Sequence, residues 1–570
     1  MNKPAFDRFY RYAELTDLLN ALAGAHPDLC AITSIGRSHE GREIWMATLT
    51  SAKTGPASDK PAFWVDANIH ATEVSPSTCA LYAIYKALSG YGSDAQLTRL
   101  LDTRALYIVP RANPDGAELF LDERHRRIRS STRPYPLKER QDGLHLADID
   151  GDGRILSMRV RDPNGPWKAH PDDARLLIAR DPAGGDSGPF YRILPEGEIQ
   201  NYDGVTIKLA RPLEGLDLNR NFPVEWAIES EQPGAGPYPT SEPEVRAMVQ
   251  FIVDHPNITG AITFHTYSGV YLRPYGTRAD DTIATSDLWT MQEIGKTITR
   301  LTGYPAVSVF HDFKYHPKET IKGVFDDWLY DHLGVYAWTC ELWSPQRMAG
   351  IDMKKPNGGG YRFMDWFRQH DVEDDLKLLK WQDEALGGRG FVAWQPFTHP
   401  QLGDVELGGW DAELMWRNPP SHLLEAEIAP HADVIFWHAL ISPELSFREF
   451  SAKRVGDSAW HLQAVVENTG WLPTSVSTRA AEKRLVQPLE LLLSLPEGAR
   501  LVSGELKTAC GQLEGRALKL TMGVWGGSDA STDRVRVEWV LEAPAGATVT
   551  VTARHDRTGK TRATLTLVPS

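Results

Sequence analysis

Apolar residues along this chain fall into two arrangements. In its first part, short continuous apolar runs such as Phe63-Trp64-Val65, Gly260-Ala261-Ile262-Thr263-Phe264 and Gly334-Val335-Tyr336-Ala337-Trp338-Thr339-Cys340 are interspersed with stretches of helical period, among them residues 74–85 and 372–386. Such runs predict buried strands, and the helical stretches predict helices packed on the sheet they form. Beyond about Pro430 the pattern changes to short alternating or apolar runs, at residues 460–468, 489–495, 535–541 and 548–553, separated by Gly, Pro and Asn turns. Strands of that spacing predict a β-sandwich. The expected fold class is α/β, a mixed central sheet with helices on both faces, followed by a C-terminal all-β sandwich domain. The expected divisions are about 1–375 for the α/β domain with an insertion at about 134–212, about 376–430 for a connecting region rich in Pro, Gly and Trp, and about 431–570 for the sandwich.

Polar residues at the ends of the apolar runs carry the candidate chemistry. His70 and Glu73, in Asn68-Ile69-His70-Ala71-Thr72-Glu73, follow one predicted strand and precede the helical stretch that begins at Val74. A tight turn can aim an imidazole and a carboxylate at one point, and zinc accepts both ligand types. The same spacing also arises as i, i+3 polar neighbours on a surface helix, so position decides: ligands of open α/β sheets gather at this strand end. A catalytic zinc keeps three protein ligands and one open position, which calls for a further ligand at another strand end. His265, closing the run 260–264, is the candidate, with a core histidine bonded to backbone as the alternative. Glu341 ends the run 334–340, where a buried carboxylate must be paired, protonated or used. Beside a metal ion it could take a proton from water during attack on a carbonyl and return it to a leaving amine; the alternative is a salt-bridged structural glutamate.

Two groups of cations suit a substrate with an anionic end. Leu216-Asp217-Leu218-Asn219-Arg220-Asn221 sets an amide beside a guanidinium, suited to clamping a carboxylate. Arg124, Arg126, Arg127, Arg129 and Arg133 form a basic cluster in a chain of net charge -14. Such a cluster is either a solvated face or a source of a guanidinium for an oxyanion. The acidic balance argues against nucleic-acid partners. No apolar run is long enough for a membrane span, and the start of the sequence lacks a secretory pattern, so a cytoplasmic protein without a membrane partner is expected. The 4 cysteines are scattered, and no disulfide framework is expected.

Within the insertion, Asp148-Ile149-Asp150-Gly151-Asp152-Gly153-Arg154-Ile155 alternates carboxylates and then turns at a glycine, as calcium loops begin. Calcium held by Asp148, Asp150 and Asp152 is the expectation, against a solvated acidic turn. Arg159 stands where a bidentate glutamate would close the loop, with Asp162 as a substitute.

Taken in order, these residues resemble the zinc carboxypeptidase family of the funnelin type, similar in motif to carboxypeptidases A and B. The resemblance runs from about Tyr12 to about Leu342. It implies a zinc cofactor held by His70, Glu73 and His265, with Glu341 as general base and Arg129 polarising the scissile carbonyl. It further implies that Asn219, Arg220 and Arg126 contact the substrate. Asn113-Pro114-Asp115-Gly116 and Ser241-Glu242-Pro243-Glu244 match further landmarks, expected as a turn and a helix start. Thr72 departs from the pattern, which often has a substrate-holding arginine there. Tyr315 is the nearest candidate for the lid tyrosine, although its spacing from Glu341 is longer than the family's. Asp326, in Phe325-Asp326-Asp327-Trp328, falls at the pocket floor and would suit a terminal Lys or Arg; the alternative is a helix-capping acid. The implied function is zinc-dependent release of a single amino acid from peptides with a free C-terminus. The alternatives are another zinc amide hydrolase on the same scaffold, acting on cell-wall peptides or acylated amino acids, or a non-catalytic peptide-binding protein.

Overall fold

The computed structural model describes residues 3–122, 126–316, 318–354, 360–361, 363–519 and 529–568. Its centre is an eight-stranded mixed sheet built from β1 (Cys30–Arg37), β2 (Glu43–Leu49), β3 (Ala62–Ala67), β4 (Ala105–Val109), β5 (Ile258–Thr266), β6 (Val270–Arg273), β7 (Ala306–Ser308) and β8 (Tyr336–Leu342), in the order β1-β2-β4-β3-β5-β8-β6-β7. The four middle strands, β4, β3, β5 and β8, run parallel. Their side chains alternate between two apolar layers, which is why they read as unbroken apolar runs. Phe63, Val65, Ile262 and Phe264 join one core with helices Tyr12–Ala25, Ser75–Gly90 and Thr285–Thr302. Trp64 and Ala261 join the other with helices Pro243–Asp254 and Phe325–Leu333. The parallel arrangement brings the C-terminal ends of β3, β5 and β8 together at one edge.

The expected divisions change in two ways. The insertion and the connecting region are one β unit: Phe391–His399 and Gly403–Trp410 pair with Ser157–Arg161, Tyr191–Pro195, Trp167–Ala169 and Leu177–Ala179 in a six-stranded antiparallel sheet. Sequence separation hid this pairing, since the two strands of residues 391–410 cannot bury a face alone and complete theirs on four strands of the insertion. The boundary near residue 430 falls inside helix Ser421–Leu440, which contains Pro430 and packs Leu424, Ile428, Ala432, Ile435 and Phe436 onto the first core of the central sheet. The C-terminal β region therefore begins at Leu445.

That region is all antiparallel, with two four-stranded sheets closing on Trp460, Leu462, Trp539, Leu541, Leu491 and Val551. It docks on the α/β domain through buried Arg557, whose Nη1 donates to the carbonyls of Pro256 (2.9 Å) and Ile258 (2.6 Å). All four cysteines are free. Among the described residues, no helix is long and apolar enough to cross a membrane.

Candidate active site

The ends of three parallel strands supply the groups of the site. His70 and Glu73 lie in the turn after β3, His265 near the end of β5 and Glu341 near the end of β8, where His265 and Glu341 are register partners across the parallel ladder. His70 Nδ1 lies 3.1 Å from both Glu73 oxygens and 3.0 Å from His265 Nδ1; His265 Nδ1 lies 3.3 Å from Glu73 Oε2. All three side chains are buried. Tetrahedral zinc ligands about 2.1 Å from the ion lie roughly 3.4 Å from one another, so these donor separations fit one ion.

The outer nitrogens of both histidines are held by groups that leave Nδ1 bare. Thr263 Oγ1 donates to Asp66 Oδ2 (2.7 Å) and so accepts from His265 Nε2 (3.2 Å). His70 Nε2 faces Asp217 Oδ1 at 3.0 Å. Fixing the tautomer in this way is the usual support for a metal-bound imidazole. Glu73 is oriented by the backbone N–H of Thr266, which donates to its Oε2 (3.1 Å). The donor set of two imidazoles and one carboxylate thus fits zinc by chemistry, distance and support.

Arg129 is brought to this centre by backbone contacts. Its carbonyl accepts from Ala71 N–H (3.0 Å), inside the turn between His70 and Glu73. Asn113 ties the two segments further: Nδ2 donates to the carbonyls of Ile69 (3.2 Å) and Ser130 (2.8 Å). Asn113 Oδ1 caps helix Pro114–Leu121 by accepting from Gly116 N–H (3.0 Å), so this landmark starts a helix where a turn was expected. The second landmark does open a helix, Pro243–Asp254. Arg129 Nε donates to Asp217 Oδ2 (2.8 Å), and its Nη1 to Glu73 Oε1 (3.2 Å). Burial works against charge on the Asp217 carboxyl, but Arg129, Arg220 and His70 outweigh it and hold its pKa well below the usual carboxylate range.

A cleft of roughly 490 Å³ opens over these groups, lined by Glu73, Arg129, Asp217, Arg220, Tyr315, Glu341 and Arg417 among others. Burial, with Glu73 adding to it, pushes the Glu341 carboxyl up to about 7, while His265, Arg129 and Arg417 pull the other way. A carboxyl poised there can exchange a proton near neutrality. Tyr315 reaches the cleft despite its irregular spacing. Asn219 is buried one residue before the lining Arg220, with Oδ1 accepting from Phe325 N–H (3.0 Å), and Arg220 Nη1 donates to the Asn219 carbonyl (2.7 Å). Asp326 is buried in the first turn of helix Phe325–Leu333; its Oδ2 has no hydrogen-bond partner among the described residues, and burial raises its pKa to about 6.

Other expected residues lie elsewhere. Arg126 is not among the residues that line the cleft; it is largely exposed and paired with Glu214 Oε1 (2.7 Å). Arg127 pairs with Glu413 (2.7 Å) and Arg133 with Glu242, while Arg124 lies outside the described residues. In the acidic loop, Asp152 turns to Arg154 (2.6 Å), and Glu196 joins Asp148 and Asp150 in its place. The backbone satisfies that group: Glu196 accepts from Ile149 and Leu156 N–H, and Asp148 from Gly151 and Gly153 N–H. The three carboxylates still bring oxygens within 4.8 Å of one another, and burial together with the neighbouring acids raises the pKa of Asp150 and of Glu196. Arg159 pairs with Glu406 (2.8 Å) and Asp162 with Arg192 (3.0 Å), so neither closes a calcium loop.

Four groups at the site went unassigned in the sequence. Asp66 and Thr263 interrupt apolar strands with polar side chains, the same signal that marked Glu341. Asp217 stands two residues before Asn219 and carried no pattern of its own. Arg417 lies within the segment 396–420, read only as a connection.

Residues 15–357 match the family model described as zinc carboxypeptidase, and residues 444–566 match one described as a domain of unknown function. The chain is 25% identical to carboxypeptidase A2 of Rattus norvegicus over 346 residues, covering 59% of this chain and 63% of that protein. It is 27% identical to carboxypeptidase B of Astacus astacus over 345 residues, covering 59% of this chain and 86% of that protein. The chain thus spans a little under two thirds of the length of the rat relative. A solved structure of thrombin activatable fibrinolysis inhibitor aligns at TM-score 0.43 and 17% identity, covering 76% of this chain and 75% of that one.

Proposed function

The chain belongs to the zinc carboxypeptidase family, and from that premise we propose that it is a zinc-dependent metallocarboxypeptidase that hydrolyses the C-terminal peptide bond of peptides and releases one amino acid. The observation that carries this reading is the convergence of His70 Nδ1, His265 Nδ1 and Glu73 within 3.0 to 3.3 Å of one another, beside Glu341 and two guanidiniums in one cleft.

His70, Glu73 and His265 would hold the zinc. When bound, it supplies a Lewis acid that polarises the scissile carbonyl and acidifies water. Glu341 takes the proton from the attacking water and passes it to the leaving amine, a role its raised pKa suits. Arg129, held by Asp217 and Glu73, donates to the oxygen that becomes negative during attack. Arg220, with Asn219 alongside, binds the terminal carboxylate and so restricts cleavage to the last peptide bond. Tyr315, at the cleft wall, covers the bound substrate.

The preferred terminal residue is Lys or Arg. Support comes from Asp326, a buried carboxyl whose Oδ2 has no hydrogen-bond partner among the described residues, since such an oxygen favours a cationic partner. Incubating the zinc-loaded protein with a peptide library and weighing the released amino acids tests both levels. Release of single C-terminal residues supports the exopeptidase, and cleavage of C-terminally blocked peptides at equal rate sinks it. Predominant aliphatic or aromatic release would sink the role of Asp326 alone.

A further inference from the structure

A third guanidinium enters the cleft from outside the segment that matches the zinc carboxypeptidase family. Arg417 ends a single π-helical turn, Glu413–Arg417, beyond the matched residues 15–357. Isolated π turns are costly and recur where a side chain must be aimed. This one is fastened to the α/β domain on every side. Trp343 Nε1 donates to the Met415 carbonyl (2.9 Å), and Arg127 pairs with Glu413. Asn418 is buried; its Nδ2 donates to the Thr72 carbonyl (2.9 Å), and its Oδ1 accepts from the N–H groups of Val74 (3.1 Å) and Ser75 (3.0 Å). Trp416 packs against Tyr267, Trp366 and Phe367.

All of these contacts hold the backbone around Arg417, yet among the described residues its guanidinium makes no hydrogen bond. Its nearest anion is Glu73 Oε1 at 3.7 Å, and it stands 5.7 Å from the Tyr267 ring centre. The other cleft arginines are committed, Arg129 to Asp217 and Glu73, and Arg220 to the Asn219 carbonyl. The anions order the three. Arg220 acts on Asp217, Arg129 bridges Asp217 and Glu73, and Arg417 approaches Glu73. An extended peptide presents an acceptor roughly every 3.5 Å, so a row of guanidiniums can read consecutive acceptors. If Arg220 holds the terminal carboxylate and Arg129 the scissile carbonyl, Arg417 faces the acyl side.

Resting on the carboxypeptidase reading above, we propose that Arg417 is a substrate-binding residue, donating to the carbonyl oxygen of the amide one residue before the scissile bond. Thr72, the nearby position fastened by Asn418, has a side chain too short for that role. The accessory segment would thereby complete the substrate site of the α/β domain.

The test compares two substrates with the same terminal residue on the zinc-loaded full chain. One is an N-acyl dipeptide, which has the additional amide carbonyl; the other is an N-acyl amino acid, which lacks it. For Arg417→Met, KM for the N-acyl dipeptide should rise about ten-fold or more relative to KM for the N-acyl amino acid, while any change in kcat from losing its pull on Glu341 is shared by both substrates. Arg417→Lys, which keeps the charge and the stem, should fall between and serves if the methionine variant folds poorly. Calorimetry on the Glu341→Gln background should show the dipeptide binding about ten-fold more weakly when Arg417→Met is added. Equal losses on both substrates, a loss confined to kcat, or unchanged dipeptide binding would overturn the assignment. Failure of the zinc-loaded wild type to cleave either substrate would instead defeat the carboxypeptidase reading, and this assignment with it.

Discussion

Asp217 grips His70 and Arg129 at once, with Oδ1 3.0 Å from the His70 Nε2 and Oδ2 2.8 Å from the Arg129 Nε. One carboxylate therefore sets the direction of a candidate metal ligand and of the guanidinium aimed at the scissile carbonyl. Removing it with Asp217→Ala should weaken zinc binding by about 10- to 100-fold, the range found for carboxylates behind metal-bound histidines. Competition with a chelator of known affinity measures this, and an unchanged zinc affinity would show that His70 needs no such support.

Glu341 should separate chemistry from metal binding. Glu341→Gln keeps the shape of the side chain and removes the base, so kcat should drop by about 10²- to 10⁴-fold while zinc content stays at one per chain. His265→Ala should instead lose the metal itself. Metal analysis beside initial rates distinguishes the two, and a Glu341→Gln variant with near-normal kcat would remove Glu341 from the mechanism.

The ligand set could be read because each ligand breaks a local rule. His70, His265 and Glu341 are polar groups at the ends of strands otherwise buried on both faces, and burial without use is costly. Asp66 and Thr263 break the same rule in the strand interiors, so the support of His265 was present in the pattern and went unused. Asp217 and Arg417 gave no such signal. Each lies outside the apolar runs and helical stretches, where a charged residue is ordinary, and Asp217 gains its role from a contact 147 residues away. The same distance effect hid the sheet that joins Ser157–Arg161 to Gly403–Trp410. Periodicity reports which face of an element is buried, and is silent on which distant strand completes the sheet.

Gly323 supports the carboxylate clamp through its missing side chain. Its φ is +66°, and a Cβ there would lie 2.3 Å from the carbonyl oxygen of Arg220, a backbone atom with little room to move. Gly323→Ala should therefore displace the Asn219-Arg220 turn, raise KM for free C-terminal peptides and destabilise the fold by more than about 1 kcal/mol. Kinetics and thermal melting check the pair of effects together. A variant with unchanged KM would separate this glycine from the clamp.

Glu244 should make the fold less stable as the pH rises. Its side chain is buried in the first turn of helix Pro243–Asp254, where Oε1 accepts from His39 N–H (2.8 Å) and Oε2 has no partner among the described residues. Burial is the chief cause that moves its pKa from 4.5 to about 7, with Asp115 and Glu242 adding to the shift. Between those values the folded chain holds a proton that the unfolded chain has released. Unfolding free energy then falls with rising pH, because its slope follows the protons bound unfolded minus those bound folded. The stabilisation from the protonated form is complete below about pH 4.5 and is lost as the pH passes about 7, a difference of about 3 kcal/mol at most. Glu244→Gln, neutral at every pH, should raise the melting temperature at pH 8 and change it little at pH 5. Denaturation curves of the two proteins at both values decide the matter, and an equal shift at both would mean that the ionisation of Glu244 is not what the fold resists.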